Sequence, residues 1–216
     1  MTVSFKNYQI RDLLLQNQWL PNILTDTDLI NLIKGSEHRR YGLIKRALAK
    51  GDLIKIRRGL YALGEPFRRS GIHNFEMAQK IYGPSYISFE SALSHWGLIP
   101  EAVYTITSGC HQRSKDFDTP FGRFSYVRIP YQPLYTQVLR ERKNSTIYFV
   151  ATPLRALCDY IYASSKDLWD LTSLEKSLRL EEVPKVNRKQ FNELKCFFKN
   201  KKIQHFLKDY SKRIFK

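Results

Sequence analysis

The stretch Ser36-Glu37-His38-Arg39-Arg40-Tyr41-Gly42-Leu43-Ile44-Lys45-Arg46-Ala47-Leu48-Ala49-Lys50-Gly51 runs directly into Asp52-Leu53-Ile54-Lys55-Ile56-Arg57-Arg58-Gly59-Leu60-Tyr61-Ala62-Leu63, and these residues decide how the first part of the chain folds. Ser36 is a candidate N-cap, because its hydroxyl can accept from a free amide of the first helical turn. Gly51 is a candidate stop, because glycine takes up the left-handed conformation that ends helices. The spacing between them predicts a helix from about Glu37 to Lys50. Leu53–Arg57 and Leu60–Leu63 are short β-prone runs, and Arg58-Gly59 between them is a hairpin signal.

Working outward, a first helix is expected over about residues 3–17, carrying Ile10, Leu13 and Leu14 and halted near Pro21. A second starts at Thr25 or Asp26, both plausible N-caps, and continues through Leu29, Ile30, Leu32 and Ile33 to Gly35. Three short helices followed by a two-stranded hairpin is the order of a winged helix-turn-helix domain, which we assign to residues 1–66. Glu65, Pro66 and Arg68-Arg69-Ser70-Gly71 suit a linker. Residues 72–216 then read as one α+β domain. Its expected parts are a helix from Ser88 to His95 and a small antiparallel sheet from Val103–Ser108, Lys115–Asp118 and Arg123–Ile129. Ile147–Val150 is a further strand. A helix at about 153–163 opens on Thr152-Pro153, and two more lie at about 187–199 and 201–215.

On a wheel at about 100° per residue, Tyr41, Ile44 and Leu48 of the third helix share one face, with Ala47 beside it as the expected core side. Arg39, Arg46 and Lys50 gather opposite, with the small residues Gly42 and Ala49 alongside. Long cations beside small residues suit a helix that enters a DNA major groove, although a solvated face of an ordinary helix has the same composition. The hairpin adds Lys55, Arg57 and Arg58 at or beside its turn, where they would meet the phosphate backbone or minor groove. Gly59 supplies the turn conformation. Leu53, Ile56, Leu60 and Tyr61 are expected in the core.

Charge supports a polyanionic partner. The chain has 36 Lys and Arg against 20 Asp and Glu, a formal net charge of +16. Residues 1–70 hold 13 basic and 6 acidic side chains, residues 71–182 hold 12 of each, and residues 183–216 hold 11 basic and 2 acidic. The excess therefore sits at the two ends. In the tail from about residue 183, Ile203, Phe206, Leu207, Tyr210 and Ile214 form a helical stripe. Lys199, Lys201, Lys202, Lys208, Lys212 and Arg213 lie largely away from it. The plain reading is a packed helix with a solvated basic side; the sharper ones are extra DNA backbone contact or docking of an acidic protein.

Other function classes find little support. A content of 43% hydrophobic residues argues against disorder. Cys110, Cys158 and Cys196 are far apart and odd in number, unlike a disulfide framework or a paired-cysteine zinc site. No signal peptide or membrane-length apolar run is read, so a cytoplasmic protein with no membrane partner is expected. His38, His73, His95, His111 and His205 show no metal-ligand spacing, and no GxSxG, P-loop or GxGxxG occurs. Ser94 and His95, adjacent on a helix, point apart. Asp116 and Asp118 could mimic half of a carboxylate metal site, but a solvated hairpin edge explains them better. We expect no catalytic residues, no metal and no cofactor.

The segment Leu48–Leu63 resembles the end of the winged helix domain of AbiEi-type antitoxins. Pro84-Ser85-Tyr86-Ile87-Ser88-Phe89-Glu90-Ser91-Ala92-Leu93-Ser94-His95-Trp96-Gly97-Leu98-Ile99-Pro100-Glu101 is similar to their second-domain signature. Tyr104–Ser108, Phe117–Tyr126 and Ala151-Thr152-Pro153-Leu154-Arg155-Ala156-Leu157-Cys158-Asp159 follow in family order. The landmarks span about residues 45–163, leaving the basic tail outside. The resemblance implies an antitoxin of a type IV toxin–antitoxin (abortive phage infection) pair. Such a protein binds double-stranded DNA at repeats in its own promoter and represses its operon. Its second domain counteracts a nucleotidyltransferase-like toxin. Two rivals remain: a nuclease targeted by its winged helix, and an interaction module whose tail grips an acidic protein.

Overall fold

The computed structural model describes residues 9–17, 19–143, 146–164 and 170–215. The fold is mixed α and β. Its contacts divide the chain into two units, Met1–His73 with Thr119–Phe121, and Asn74–Asp118 with Gly122–Lys216.

The first unit runs α1 (Ile10–Gln16), β1 (Ile23–Thr25), α2 (Asp26–Leu32), α3 (Glu37–Lys50), β2 (Leu53–Arg57) and β3 (Leu60–Leu63). Residues 3–8 of the expected first helix lie outside the described residues. The N-caps are those the sequence offered. Thr25 Oγ1 accepts from the Asp28 amide at 3.2 Å while the Asp28 carboxylate accepts from the Thr25 amide at 2.7 Å. That reciprocal pair satisfies two otherwise free donors and starts α2. Ser36 Oγ accepts from the Arg39 amide at 3.3 Å, and Gly51 ends α3 at φ 74°.

The strand Ile23–Thr25 was not expected. At three residues it is too short to show an alternating pattern, but it pairs antiparallel with β3 (Ile23 opposite Ala62), making a sheet of order β1-β3-β2. The helices close over this sheet around Ile10, Leu14, Leu24, Leu29, Leu43, Ala47 and Leu53. The chain leaves β3 through Gly64, where a Cβ would stand 2.1 Å from the Gly51 carbonyl oxygen. The Gly64 amide donates to Asp52 O at 2.8 Å, so the hairpin is fastened to the end of α3 at a point that admits no side chain.

The second unit comprises α4 (Asn74–Ile81), β4 (Ser85–Ile87), α5 (Phe89–His95), β5 (Ile106–Cys110), β6 (Lys115–Thr119), β7 (Gly122–Arg128), β8 (Val138–Lys143), β9 (Thr146–Ala151), α6 (Pro153–Ala163), α7 (Leu171–Leu178), α8 (Arg188–Phe197) and α9 (Lys201–Ile214). The expected small antiparallel sheet is corrected to a six-stranded mixed sheet of order β6-β7-β5-β4-β9-β8. Two of its pairings, β5 with β7 and β4 with β9, are parallel. Parallel neighbours need crossovers, and no local pattern announces which distant strand will be adjacent. The unexpected β8 reads Val-Leu-Arg-Glu-Arg-Lys. It lies at an edge of the sheet, where charge suppresses pairing with other chains and also hides the strand from pattern reading. No helix among the described residues is long and apolar enough to cross a membrane.

Candidate nucleic-acid interface

The axis of α3 is rotated relative to the wheel reading. Leu43 and Ala47, an i, i+4 pair, are its buried residues, while Tyr41, expected in the core, is 66% exposed. Ile44 and Leu48 pack only at the margin of the core. Because the centre of the buried face moves to Leu43 and Ala47, the outward side becomes His38, Tyr41, Lys45 and Ala49. Those four are exposed.

This rotation distributes the cations on both flanks of α3. Arg39, Arg46 and Lys50 line a cleft of about 480 Å³ with Gln9, Ile10 and Asp52. At its edge Lys50 Nζ donates to Gln9 Oε1 at 3.0 Å. On the other flank Arg40, Tyr41 and Lys45 share a groove with Lys55, Arg58 and Gly59 of the hairpin. The structure thus brings Arg39, Arg46 and Lys50 together, and separately brings Lys55 and Arg58 together. Arg40 and Lys45 are not among the expected contact residues, and Tyr41 is expected in the core instead. Leu43 and Ala47 at helical spacing were the signal that would have found them.

The hairpin geometry follows from two local features. Ile56 has no opposite partner, since Lys55 faces Tyr61 and Arg57 faces Leu60. Such a bulge increases twist. It leaves Ile56 buried at 5% exposure, Lys55 exposed and Arg57 half-buried. Arg57 Nη1 donates to the Arg58 carbonyl at 2.8 Å, folding that guanidinium along the turn.

Gly59 holds φ +76°, and a Cβ there would stand 2.9 Å from Asp26 Oδ2. The Asp26 amide donates to Gly59 O at 3.2 Å. The turn is therefore docked on the first residue of α2, and glycine is needed for both the angle and the approach. Burial, followed by the nearby Asp26 carboxylate, raises the Tyr61 phenol above its ordinary pKa.

In the second unit, landmark residues from separate segments converge on one buried network instead of an open site. Arg155, Asp159, Tyr86 and Ser88 are all 0% exposed. Arg155 Nε donates to both Asp159 oxygens at 3.0 and 3.1 Å, and Arg155 Nη2 donates to the Tyr86 hydroxyl at 2.6 Å. Tyr86 and Ser88 each donate to Asp159 Oδ2, at 2.8 and 2.7 Å. The guanidinium lies 4.4 Å from the Phe197 ring centroid. Burial pushes the Asp159 carboxyl up, while Arg155, Ser88 and Tyr86 pull it back. Two charges so enclosed persist only because every partner is present.

Asp116 is engaged by Arg123 at 2.8 Å and by the Ser125 hydroxyl at 2.7 Å, which hold it below the usual carboxylate range. Among the described residues no group of three His, Cys, Asp or Glu is placed to hold a metal. No protein-family model matches this chain, and comparison with curated proteins gives no match.

Proposed function

We propose that the chain is a DNA-binding autoregulator with antitoxin activity, whose first unit is a winged helix-turn-helix reader of double-stranded DNA. The observation that carries this reading is the element order α1-β1-α2-α3-β2-β3 with the sheet order β1-β3-β2, joined to a row of cations on α3 and its hairpin. In this arrangement α3 enters the major groove with Tyr41 and Lys45 outermost and Gly42 and Ala49 leaving room for the backbone. Arg39, Arg46 and Lys50 on one flank and Lys55, Arg57 and Arg58 on the hairpin hold phosphates or the minor groove. The function beyond DNA binding rests on the resemblance of residues 45–163 to AbiEi-type antitoxins. It comprises repression at promoter repeats, counteraction of a nucleotidyltransferase-like toxin, cytoplasmic location and a role other than catalysis.

The direct test is binding to the DNA upstream of the chain's own gene in competition with unrelated DNA. Arg46→Ala lowers that affinity by about tenfold if it holds a phosphate or a base edge, the equivalent of roughly 1–3 kcal/mol for one good contact. Unchanged binding by Arg46→Ala and by Lys55→Ala together removes the assignment. Metal-dependent cleavage of DNA by the purified chain, abolished by Asp116→Ala, would replace it with the nuclease reading.

A further inference from the structure

We infer that α8 and α9 form a second nucleic-acid surface, one that grips the phosphate backbone without reading sequence and is independent of the first unit. The inference starts from the tail's charge, with 11 basic and 2 acidic residues over 183–216, and from what the fold does with it. The two acids are turned to other work: Asp209 accepts from the Leu171 amide at 3.1 Å, and Glu193 accepts from Gln137. Arg213 is paired with Glu175 at 2.8 Å, and Arg188 lies over the Phe215 ring. Lys195, Lys199, Lys201, Lys208 and Lys212 are exposed and form no ion pair among the described residues.

Their placement is regular. Ile203, Phe206, Leu207 and Tyr210 of α9 are 0% exposed, which fixes the helix's rotation and turns Lys201, Lys208 and Lys212 outward along one line. At 1.5 Å rise per residue that line is about 16 Å long. The Gln204 side-chain amide donates to Lys195 O at 2.8 Å, tying the end of α8 to the start of α9. Lys195 and Lys199, both exposed, lie at that junction.

The occupant follows from what the surface lacks. Protein interfaces centre on exposed aromatic or aliphatic anchors, and membrane-surface helices insert them. Among the described residues the exposed large hydrophobics are Leu15, Trp19, Ile30, Tyr41, Tyr104, Tyr135, Leu139 and Ile147, none of them in 183–215. A row of lysines without apolar anchors suits a polyphosphate backbone, where binding is driven by counterion release.

The test uses the full chain and its K195Q/K201Q/K208Q/K212Q variant, titrated with a scrambled-sequence DNA duplex and with a single-stranded RNA of equal length over a range of salt. The slope of log affinity against log salt on the duplex falls by about 3–4 in the variant, at about 0.9 per phosphate released. The ratio of affinities for the gene's upstream DNA and the scrambled duplex stays the same. The matching K195R/K201R/K208R/K212R variant keeps the slope. The relative loss on duplex and RNA shows which of the two the surface prefers.

An unchanged slope in a glutamine variant with normal melting temperature overturns the inference, as does equal loss in the arginine variant. Loss of binding to phosphatidylserine vesicles or to polyglutamate, with duplex binding intact, overturns it in favour of a membrane or an acidic protein. Failure of the first unit as reader is separately visible, because it alters the affinity ratio and leaves this slope untouched.

Discussion

The two basic ends of this chain carry similar surpluses of charge and present them in opposite ways. In the first unit the cations line clefts on both sides of α3, beside the exposed ring of Tyr41 and a hairpin docked on α2. In the second unit they stand in a row opposite the buried Ile203, Phe206, Leu207 and Tyr210, with no exposed large hydrophobic among them. Contacts to phosphate position a protein on nucleic acid, and only contacts shaped to base edges specify a sequence. On the proposed reading, the difference between the ends is one of information rather than of charge. Arg155 marks the other extreme, since it is wholly buried.

The sharpest way to press the comparison is to remove Arg155. Arg155→Ala leaves the Asp159 carboxylate without its buried partner, and the expected loss is about 3–5 kcal/mol. Thermal or urea unfolding of the variant checks it. Removal of any one exposed tail lysine, by contrast, changes stability by no more than about 0.5 kcal/mol. Equal stability of Arg155→Ala and the parent would mean that the buried network is not holding the second unit together.

A smaller effect is expected at Gly64. A methyl group there meets the Gly51 carbonyl oxygen at 2.1 Å, so Gly64→Ala costs about 1–3 kcal/mol. It also loosens the hairpin from the end of α3. On the proposed reading, preference for the upstream DNA falls in a competition assay while binding to scrambled duplex persists. Loss of both together would contradict the independence of the two surfaces.

The smallest effect is at the N-cap of α7, which packs against α9. Asp170 accepts from the Ser173 amide at 2.8 Å, and that bond with the Ser173 hydroxyl lowers its pKa. Its folded value lies below its unfolded one, so its contribution is present above the ordinary aspartate range and is lost as pH falls through the folded value. Asp170→Ala costs about 1 kcal/mol at neutral pH. The difference from the parent closes on acidification. A gap that stays constant with pH would show that the carboxylate's charge plays no part.

Much of the first unit was legible because its signals are local. Caps at Thr25 and Ser36, the stop at Gly51 and the turn at Arg58-Gly59 each act within a few residues of themselves. The rotation of α3 is not legible locally, because Tyr41, Ile44 and Leu48 satisfy the helical period as well as Leu43 and Ala47 do. Only the sheet beneath decides which set is buried. In the second unit α6 ran as expected from Pro153 to Ala163, since proline after a cap residue starts helices. The parallel pairing of β4 with β9, Ile87 opposite Val150, and the meeting of Tyr86 with Arg155 join residues more than 60 positions apart, and no local rule carries that distance. The tail's stripe was readable, whereas the engagement of Asp209 by the Leu171 amide and of Glu193 by Gln137 needed coordinates.

The central claim, that the first unit reads DNA sequence, is most directly tested by a gel-shift titration of the full chain against its own upstream DNA at two salt concentrations. A Tyr41→Ala/Lys45→Ala variant, which removes the two side chains placed outermost on α3, is run beside the parent, with scrambled duplex as competitor. The account predicts a specific shift for the parent. In the variant the preference over scrambled DNA collapses, while a salt-sensitive, sequence-indifferent shift remains. Equal preference in both proteins, or no preference in either, would contradict it.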